Sequence, residues 1–267
     1  MAPLIDLDPD LAALLSPTSA EMARVQLHAR VARLAKGALS FRPDETVTPS
    51  ARHLGLLIVD GLIAAELLAR DVVSIELLGP GDLVRPWQPF GDEALLQADV
   101  RWSALSDTRV AVLDQRITAR LGHFPEIYAV LIERLTARAQ RLAVTQAICQ
   151  LNRVDQRVLT MLWHLAGRWG RITPHGTLVP LALSHRMLGQ LVGARRPTVS
   201  TACGDLARRG EVVRQPDGTW LLAGEPVGAP DGRSSRFVAP RRRVIRPLED
   251  QDRHAPAVLG GADLAGS

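Results

Sequence analysis

The stretch Ser184–Leu222, SHRMLGQLVGARRPTVSTACGDLARRGEVVRQPDGTWLL, constrains the fold more than any other part of this 267-residue chain. Ser184 is placed to cap a short helix ending near Val192, because its hydroxyl can accept from an N–H of the first turn that has no partner within the helix. Gly193 then supplies a left-handed residue on which the chain turns sharply. The spacing predicts a second helix from Arg195–Pro197, where a proline's missing N–H costs nothing. Gly189 is expected to give the room that two helices need when they cross steeply after a three-residue turn.

At ~100° per residue, the second helix gathers Val199, Ala202, Cys203 and Leu206 on one face and turns Pro197, Thr201, Gly204 and Arg208 outward. That outer face is narrow, uncharged in its middle and bounded by arginines, a form suited to a DNA major groove lying between two phosphate strands. Arg196 is the base-reading candidate, since its guanidinium can donate twice to guanine O6 and N7, worth about 1–3 kcal/mol of discrimination. Thr201 is a candidate for a base edge or a thymine methyl, and Thr198 and Ser200 for phosphates. Arg195 and Arg208 complete the basic ends. Past Gly210, EVVRQPDGTWLL reads as strand, Pro-Asp-Gly turn and strand, a wing whose Trp220 and Leu221 return to the core. Arg214 on this wing is placed either to touch a backbone phosphate or to sit idle on the surface.

The length leaves room for two domains, each with its own core. The charge is unevenly divided: residues 1–150 carry 15 basic and 18 acidic side chains, whereas residues 151–267 carry 17 and 10. A basic module beside a mildly acidic one fits a nucleic-acid partner, although a solvated surface gives the same count. Lys36 is the only lysine. Cys149 and Cys203 lie far apart without metal-ligand spacing, which argues against a zinc site, an iron–sulfur cluster or a disulfide framework. The acidic start MAPLIDLDPD and the lack of an apolar run of ~18–20 residues lead to the expectation of a cytoplasmic protein, neither secreted nor in a membrane.

Upstream, residues 4–36 suggest short flanking helices. From Leu54 to Leu113, short Val-, Ile- and Leu-rich runs broken by Asp-Gly and Gly-Pro-Gly-Asp predict strands closing into a β-roll or small sandwich. After Pro125 the pattern turns helical. Tyr128, Leu131, Leu135, Leu142 and Cys149 recur near every 3.5 residues, a candidate dimerisation helix over residues 126–150. Arg138 and Thr145 interrupt that seam, so a helix packed on its own domain is the competing reading. Residues 154–169 form a support helix with Val158, Leu159, Leu162, Leu165 and Ala166 on one face, stopped at Gly170. Residues 226–267 are too rich in Gly, Pro and charge to order, and read as a disordered basic tail in which Arg241, Arg242, Arg243 and Arg246 are either solvated or on phosphates.

The expected fold class is therefore α+β. A β-roll sensor domain with N-terminal helices covers residues 1–125, the dimerisation helix 126–150, and a winged helix-turn-helix 151–225. On these residues the chain resembles the Crp/Fnr family of bacterial regulators, of the actinobacterial type, over roughly residues 30–223. The specific matches are LGQLVGARRPTVSTACGDLARRG, the preceding VDQRVLTMLWHLAGRWG and the turn GPGDLV at Gly79–Val84. The resemblance implies a cyclic-nucleotide-binding-like roll, a long dimer helix and a homodimer on two-fold symmetric double-stranded DNA, with RNA polymerase as a candidate partner. The family's Ser-Arg-Glu-Thr-Val-Ser-Arg start is here Arg195-Arg196-Pro197-Thr198-Val199-Ser200-Thr201, so Arg196 carries over while Pro197 and Thr201 imply a different operator.

After GDLV the chain runs RPWQPFGDEALLQADVRWSAL, without the Gly-Glu-Leu and Arg-Ser/Thr-Ala cassette. A buried cyclic phosphate would lack charge compensation, so cyclic AMP is not expected and the effector is left unknown. His53, His123 and His164 are expected in packing or on the surface rather than on a haem. No nucleophile motif, phosphate loop or metal cluster points to an enzyme. The alternative class is a small-molecule sensor whose helix-turn-helix contacts protein.

Overall fold

A computed structural model describes residues 1–40, 53–87 and 98–225. They divide into two compact units, one made of Met1–Val72 with Glu76–Arg138, the other of the residues from Ala139 onward with Val73–Ile75.

The first unit opens with β1 (Ala2–Pro3), α1 (Leu4–Leu7) and α2 (Pro17–Gln26). The strands β2 (His28–Leu34), β3 (Gly37–Leu39), β4 (Gly55–Asp60), β5 (Ile63–Ala69), β6 (Val72–Leu78), β7 (Leu83–Val84), β8 (Asp99–Ala104) and β9 (Thr108–Leu113) follow. Next come α3 (Gln115–Leu121) and α4 (Pro125–Cys149), which gives its first part to this unit. The strands form two sheets, ordered β1-β2-β9-β4-β7 and β3-β8-β5-β6.

Successive side chains of a strand point to opposite faces. In β4, Leu56 and Ile58 join Ile63, Leu78, Val84, Val110 and Val112 in one core. Leu57, between them, joins Ala111 and Leu113 in a second core closed by Leu4, Leu27, Leu121, Phe124, Ile127 and Leu131 from the helices. This sheet is covered on both faces, which explains why β4 reads as an unbroken apolar run. The two tight turns take the expected form. Gly61 follows Asp60 with φ +87°, and a Cβ there would lie 2.3 Å from Thr108 Oγ1. The buried Asp82 carboxylate accepts from the Gly79 N–H at 2.9 Å.

Two ion pairs fasten the first part of α4 within this unit. Arg134 donates to both carboxylate oxygens of buried Asp8, at 2.6 and 3.1 Å. Arg138 grips Glu76 through two bonds of 2.7 Å.

The second unit holds the end of α4, α5 (Val154–Trp169), β10 (Arg171–Thr173), β11 (Gly176–Val179), α6 (His185–Val192), α7 (Arg196–Arg208), β12 (Val212–Arg214) and β13 (Trp220–Leu222). Its sheet is antiparallel in the order β10-β11-β13-β12. Val158, Met161, Leu162, Leu165 and Trp169 of α5 are buried together with Leu188, Val192, Val199, Leu206 and Trp220.

Four expectations change here. Residues 28–34, expected within the short N-terminal helices, form β2 and pair with β9. Leu159 is only half-buried, and Met161 and Trp169 widen the inner face of α5. In β13 the inward residues are Trp220 and Leu222, with Leu221 between them turned outward, as the two-residue period of a strand requires. The β10–β11 hairpin was not foreseen, because strands of three and four residues are too short to display an alternation. Otherwise the α+β architecture of a sheet-rich N-terminal part, long helix and winged helix-turn-helix is borne out. The predicted tail 226–267, with its arginines, and residues 88–97 of the segment after GDLV lie outside the described residues.

Candidate nucleic-acid interface

The helix pair is built by caps and close approaches. The Ser184 hydroxyl accepts from the Met187 N–H at 3.2 Å and starts α6. Gly193 ends it with φ +64°, in the left-handed region. The Ala194 N–H turns back to the Gly189 carbonyl at 2.9 Å, and a Cβ on Gly189 would stand 2.5 Å from the Ala194 carbonyl oxygen. Gly189 therefore makes room for the turn itself rather than for the body of the second helix. Arg195 is extended and α7 begins at Arg196, with Pro197 in its first turn.

Val199, Ala202, Cys203 and Leu206 are buried along the inner side of α7. Burial raises the Cys203 thiol to about 11, so this cysteine is a packing residue rather than a nucleophile. Arg195, Arg196, Thr198, Ser200, Thr201, Gly204 and Arg208 are exposed on the outer side. They are not equivalent. Thr201 Oγ1 donates to the Pro197 carbonyl at 3.3 Å, which turns its methyl and remaining lone pair toward solvent. Arg208 is paired with Asp205 one turn earlier. Ser200 Oγ lies 2.9 Å from Nδ1 of His185.

The wing turn is closed by the Gln215 N–H on the Thr219 carbonyl at 2.8 Å and by Asp217, which accepts from the Thr219 N–H and hydroxyl at 2.9 and 2.6 Å. From β12, the Arg214 guanidinium reaches 5.8 Å from the centre of the Trp220 ring. The His185 ring lies 5.9 Å from that same indole. Burial, then Arg214, then Arg196, push the His185 imidazole below its ordinary value, so both arginines act on the same ring. The site thus joins Ser200 to His185 and sets His185 and Arg214 on the same indole, with Arg196 bearing on the charge of the ring, while Arg208 is paired with Asp205.

Sequence reasoning missed His185. Its only local signal is a His-Arg pair directly after the capping Ser184, and its nearness to residues 200, 214 and 220 is tertiary. Among the described residues no group of three or more His, Cys, Asp or Glu side chains is placed to hold a metal ion, and no helix is long and apolar enough to cross a membrane.

The dimerisation candidates on α4 separate into two kinds. Leu131 is 3% exposed and belongs to the core of the first unit. Tyr128 is half-buried against that core, and its hydroxyl donates to the Thr118 carbonyl at 3.2 Å. Leu135 and Leu142 are 43% and 45% exposed. The residue that continues their stripe is Ile132, 61% exposed, and the next is the exposed Ala139. Arg138, which seemed to interrupt the seam, points elsewhere, to Glu76. The outward stripe is Ile132, Leu135, Ala139 and Leu142, at alternating steps of three and four residues.

Residues 156–222 match the Crp-like helix-turn-helix domain. The "CRP-like cAMP-activated global transcriptional regulator" of Mycobacterium tuberculosis is 29% identical over 140 residues, covering 51% of this chain and 60% of that protein. The chain therefore aligns with somewhat over half the length of that relative. A cyclic nucleotide-binding domain containing protein from Listeria monocytogenes shares the fold with TM-score 0.59 at 14% identity, over 81% of this chain and 97% of that one. A CRP-family transcriptional regulator from Thermus thermophilus superimposes with TM-score 0.52 at 22% identity, over 71% and 90%. The chain thus carries a Crp-like helix-turn-helix domain and has the fold of the Crp/Fnr family regulators.

Proposed function

We propose that this protein is a sequence-specific, double-stranded-DNA-binding transcription regulator that works as a homodimer, with α7 in the major groove and the β12–β13 wing on the flanking backbone. One observation carries this reading: the outer side of α7 is uncovered along its length, while Val199 and Leu206 anchor its inner side completely. A helix held from behind and bare in front is a rigid reading head. Arg196 reads guanine, Thr201 a base edge or methyl, and Arg195, Thr198, Ser200, Arg208 and Arg214 hold phosphates. The basic excess of residues 151–267 supplies the electrostatic attraction.

Dimerisation runs along the α4 stripe of Ile132, Leu135, Ala139 and Leu142. It sets two recognition helices about one helical turn of DNA apart. Residues 1–125 serve as the sensor, 126–150 as the dimer helix, 151–225 as the DNA-binding domain and 226–267 as a basic tail. A DNA target places the protein in the cytoplasm, with RNA polymerase as the partner through which a bound dimer acts. No catalytic step is proposed. The mycobacterial relative is named as cAMP-activated; here the segment following Val84 lacks the phosphate cassette, and cyclic AMP is not proposed as the effector.

The test is selection of duplexes from a randomised pool by the purified full chain. The expected product is a two-fold symmetric site with half-sites about 10 base pairs apart, bound more weakly as salt rises. Failure to enrich any sequence would refute the reading.

A further inference from the structure

We propose that duplex binding by this face takes up a proton at His185, and that the charged ring releases the Ser200 hydroxyl to donate to a backbone phosphate. The proposal rests on the DNA-binding reading above and assigns a positioning role to a residue on α6 rather than on the recognition helix.

The geometry is a relay of two side chains. Nδ1 of His185 and Oγ of Ser200 are 2.9 Å apart, joining the first turn of α6 to the outer side of α7. A neutral imidazole has one donor and one acceptor nitrogen. If Nδ1 is the acceptor, it consumes the Ser200 hydroxyl hydrogen, which is then lost to any phosphate. If Nδ1 carries the hydrogen, the Ser200 hydroxyl can donate elsewhere, but Nε2 is a bare lone pair and repels a phosphate oxygen. Only the charged ring presents donors alone: Nδ1–H holds Ser200 Oγ, Nε2–H is free, and the hydroxyl hydrogen is free as well.

In the unbound protein the surroundings oppose that charge. The ring is half-buried against Trp220, with Arg214 approaching from β12 and Arg196 from the start of α7. Its position in the first turn of α6 adds the positive end of the helix dipole. On α5, Arg157 is committed to the carbonyls of Leu151 and of Val192, the latter at the far end of α6 from His185. A phosphate held by Arg214 and Ser200 reverses the balance, because its negative charge offsets the repulsion of the imidazolium by the two arginines. The proton comes from solvent.

The sign follows from linkage. A ring whose proton affinity is below the ordinary value when free and higher when bound makes binding tighter as pH falls through the imidazole range, by at most about tenfold per pH unit per ring. Each protomer contributes one ring. The experiment measures Kd for a duplex selected by this protein from about pH 8 to pH 6, using wild-type full chain and His185→Gln. Calorimetric titration of the wild type in buffers of different ionisation enthalpy counts protons directly, without relying on a variant. The proposal predicts net proton uptake, at least threefold tightening over that range for the wild type, and a nearly flat profile for His185→Gln. A pH-independent wild type, or an unchanged slope in His185→Gln, overturns it while leaving DNA binding intact. If no duplex is selected at any pH, the DNA-binding reading itself fails first.

Discussion

Ala194 returns its N–H to the carbonyl of Gly189 across the turn between α6 and α7, at 2.9 Å, over a position where even a methyl group would collide. The angle of α7 is set at that contact. Gly189→Ala should force the turn open, destabilising the second unit by about 1–3 kcal/mol and weakening DNA binding with it. Gly193→Ala differs in kind: space is open around it, and the cost is the left-handed φ of +64°, about 1–2 kcal/mol. Thermal unfolding of both variants, with DNA affinity measured well below the transition, separates a displaced helix from a strained residue. An affinity loss for Gly193→Ala equal to that of Gly189→Ala would show that the close approach does not set the angle.

A second prediction concerns α4. Leu131 and Ile132 are neighbours with opposite duties, one inside the first unit and the other on the outward stripe. Leu131→Ala should destabilise by about 2–5 kcal/mol without lowering the oligomeric state. Ile132→Glu and Leu135→Glu should instead give folded monomers, each placing a charge where the partner's apolar stripe would lie. Sedimentation velocity reads the mass and circular dichroism the fold. Dimeric Leu135→Glu would remove this seam.

The local parts of the interface were legible in the sequence. The Ser184 cap, the Gly193 turn, Pro197 in the first turn and the Val199/Ala202/Cys203/Leu206 face each depend on residues within one or two turns of each other. What the sequence concealed depends on distance or on register. His185 meets Ser200, Arg214 and Trp220 only after folding. The seam through Tyr128, Leu131, Leu135 and Leu142 averaged two adjacent stripes, because a 3.5-residue period cannot by itself choose between Leu131 and Ile132. Leu222, not Leu221, turns inward because β13 pairs with both β11 and β12 in one register, fixed by partners far along the chain.

A third prediction separates reading from holding. Arg196 is exposed at the start of α7, whereas Arg208 at its end is already paired with Asp205. Arg196→Ala should lose about 1–3 kcal/mol of discrimination at one base pair per half-site, and Arg196→Lys should not restore it, because an ammonium cannot make the two-pronged contact. Arg208→Ala should weaken all sequences alike and flatten the salt dependence by about one unit of slope per protomer. Competition binding against single-base variants of the selected site distinguishes the two. Equal losses on every sequence for Arg196→Ala would end its role as a base reader.

The last prediction links stability to pH through Asp155. This buried carboxylate in the first turn of α5 receives two bonds from Arg153, at 3.1 and 2.7 Å, and one from Arg209 at 3.2 Å, just past the end of α7. Burial works against its charge, but the Arg153 bonds, the Gln156 N–H and Arg209 outweigh it and hold the carboxyl below its ordinary 3.8. A group whose folded value is depressed contributes stability that is complete above the ordinary carboxylate range and drains away as pH falls through the folded value. Asp155→Asn should therefore cost about 1–3 kcal/mol at neutral pH, and its stability should fall less steeply than that of the wild type below about pH 4. Urea unfolding across that range, followed by tryptophan fluorescence, gives both numbers. Parallel curves for the two proteins would mean that Asp155 is no more tightly held in the folded chain than in the unfolded one.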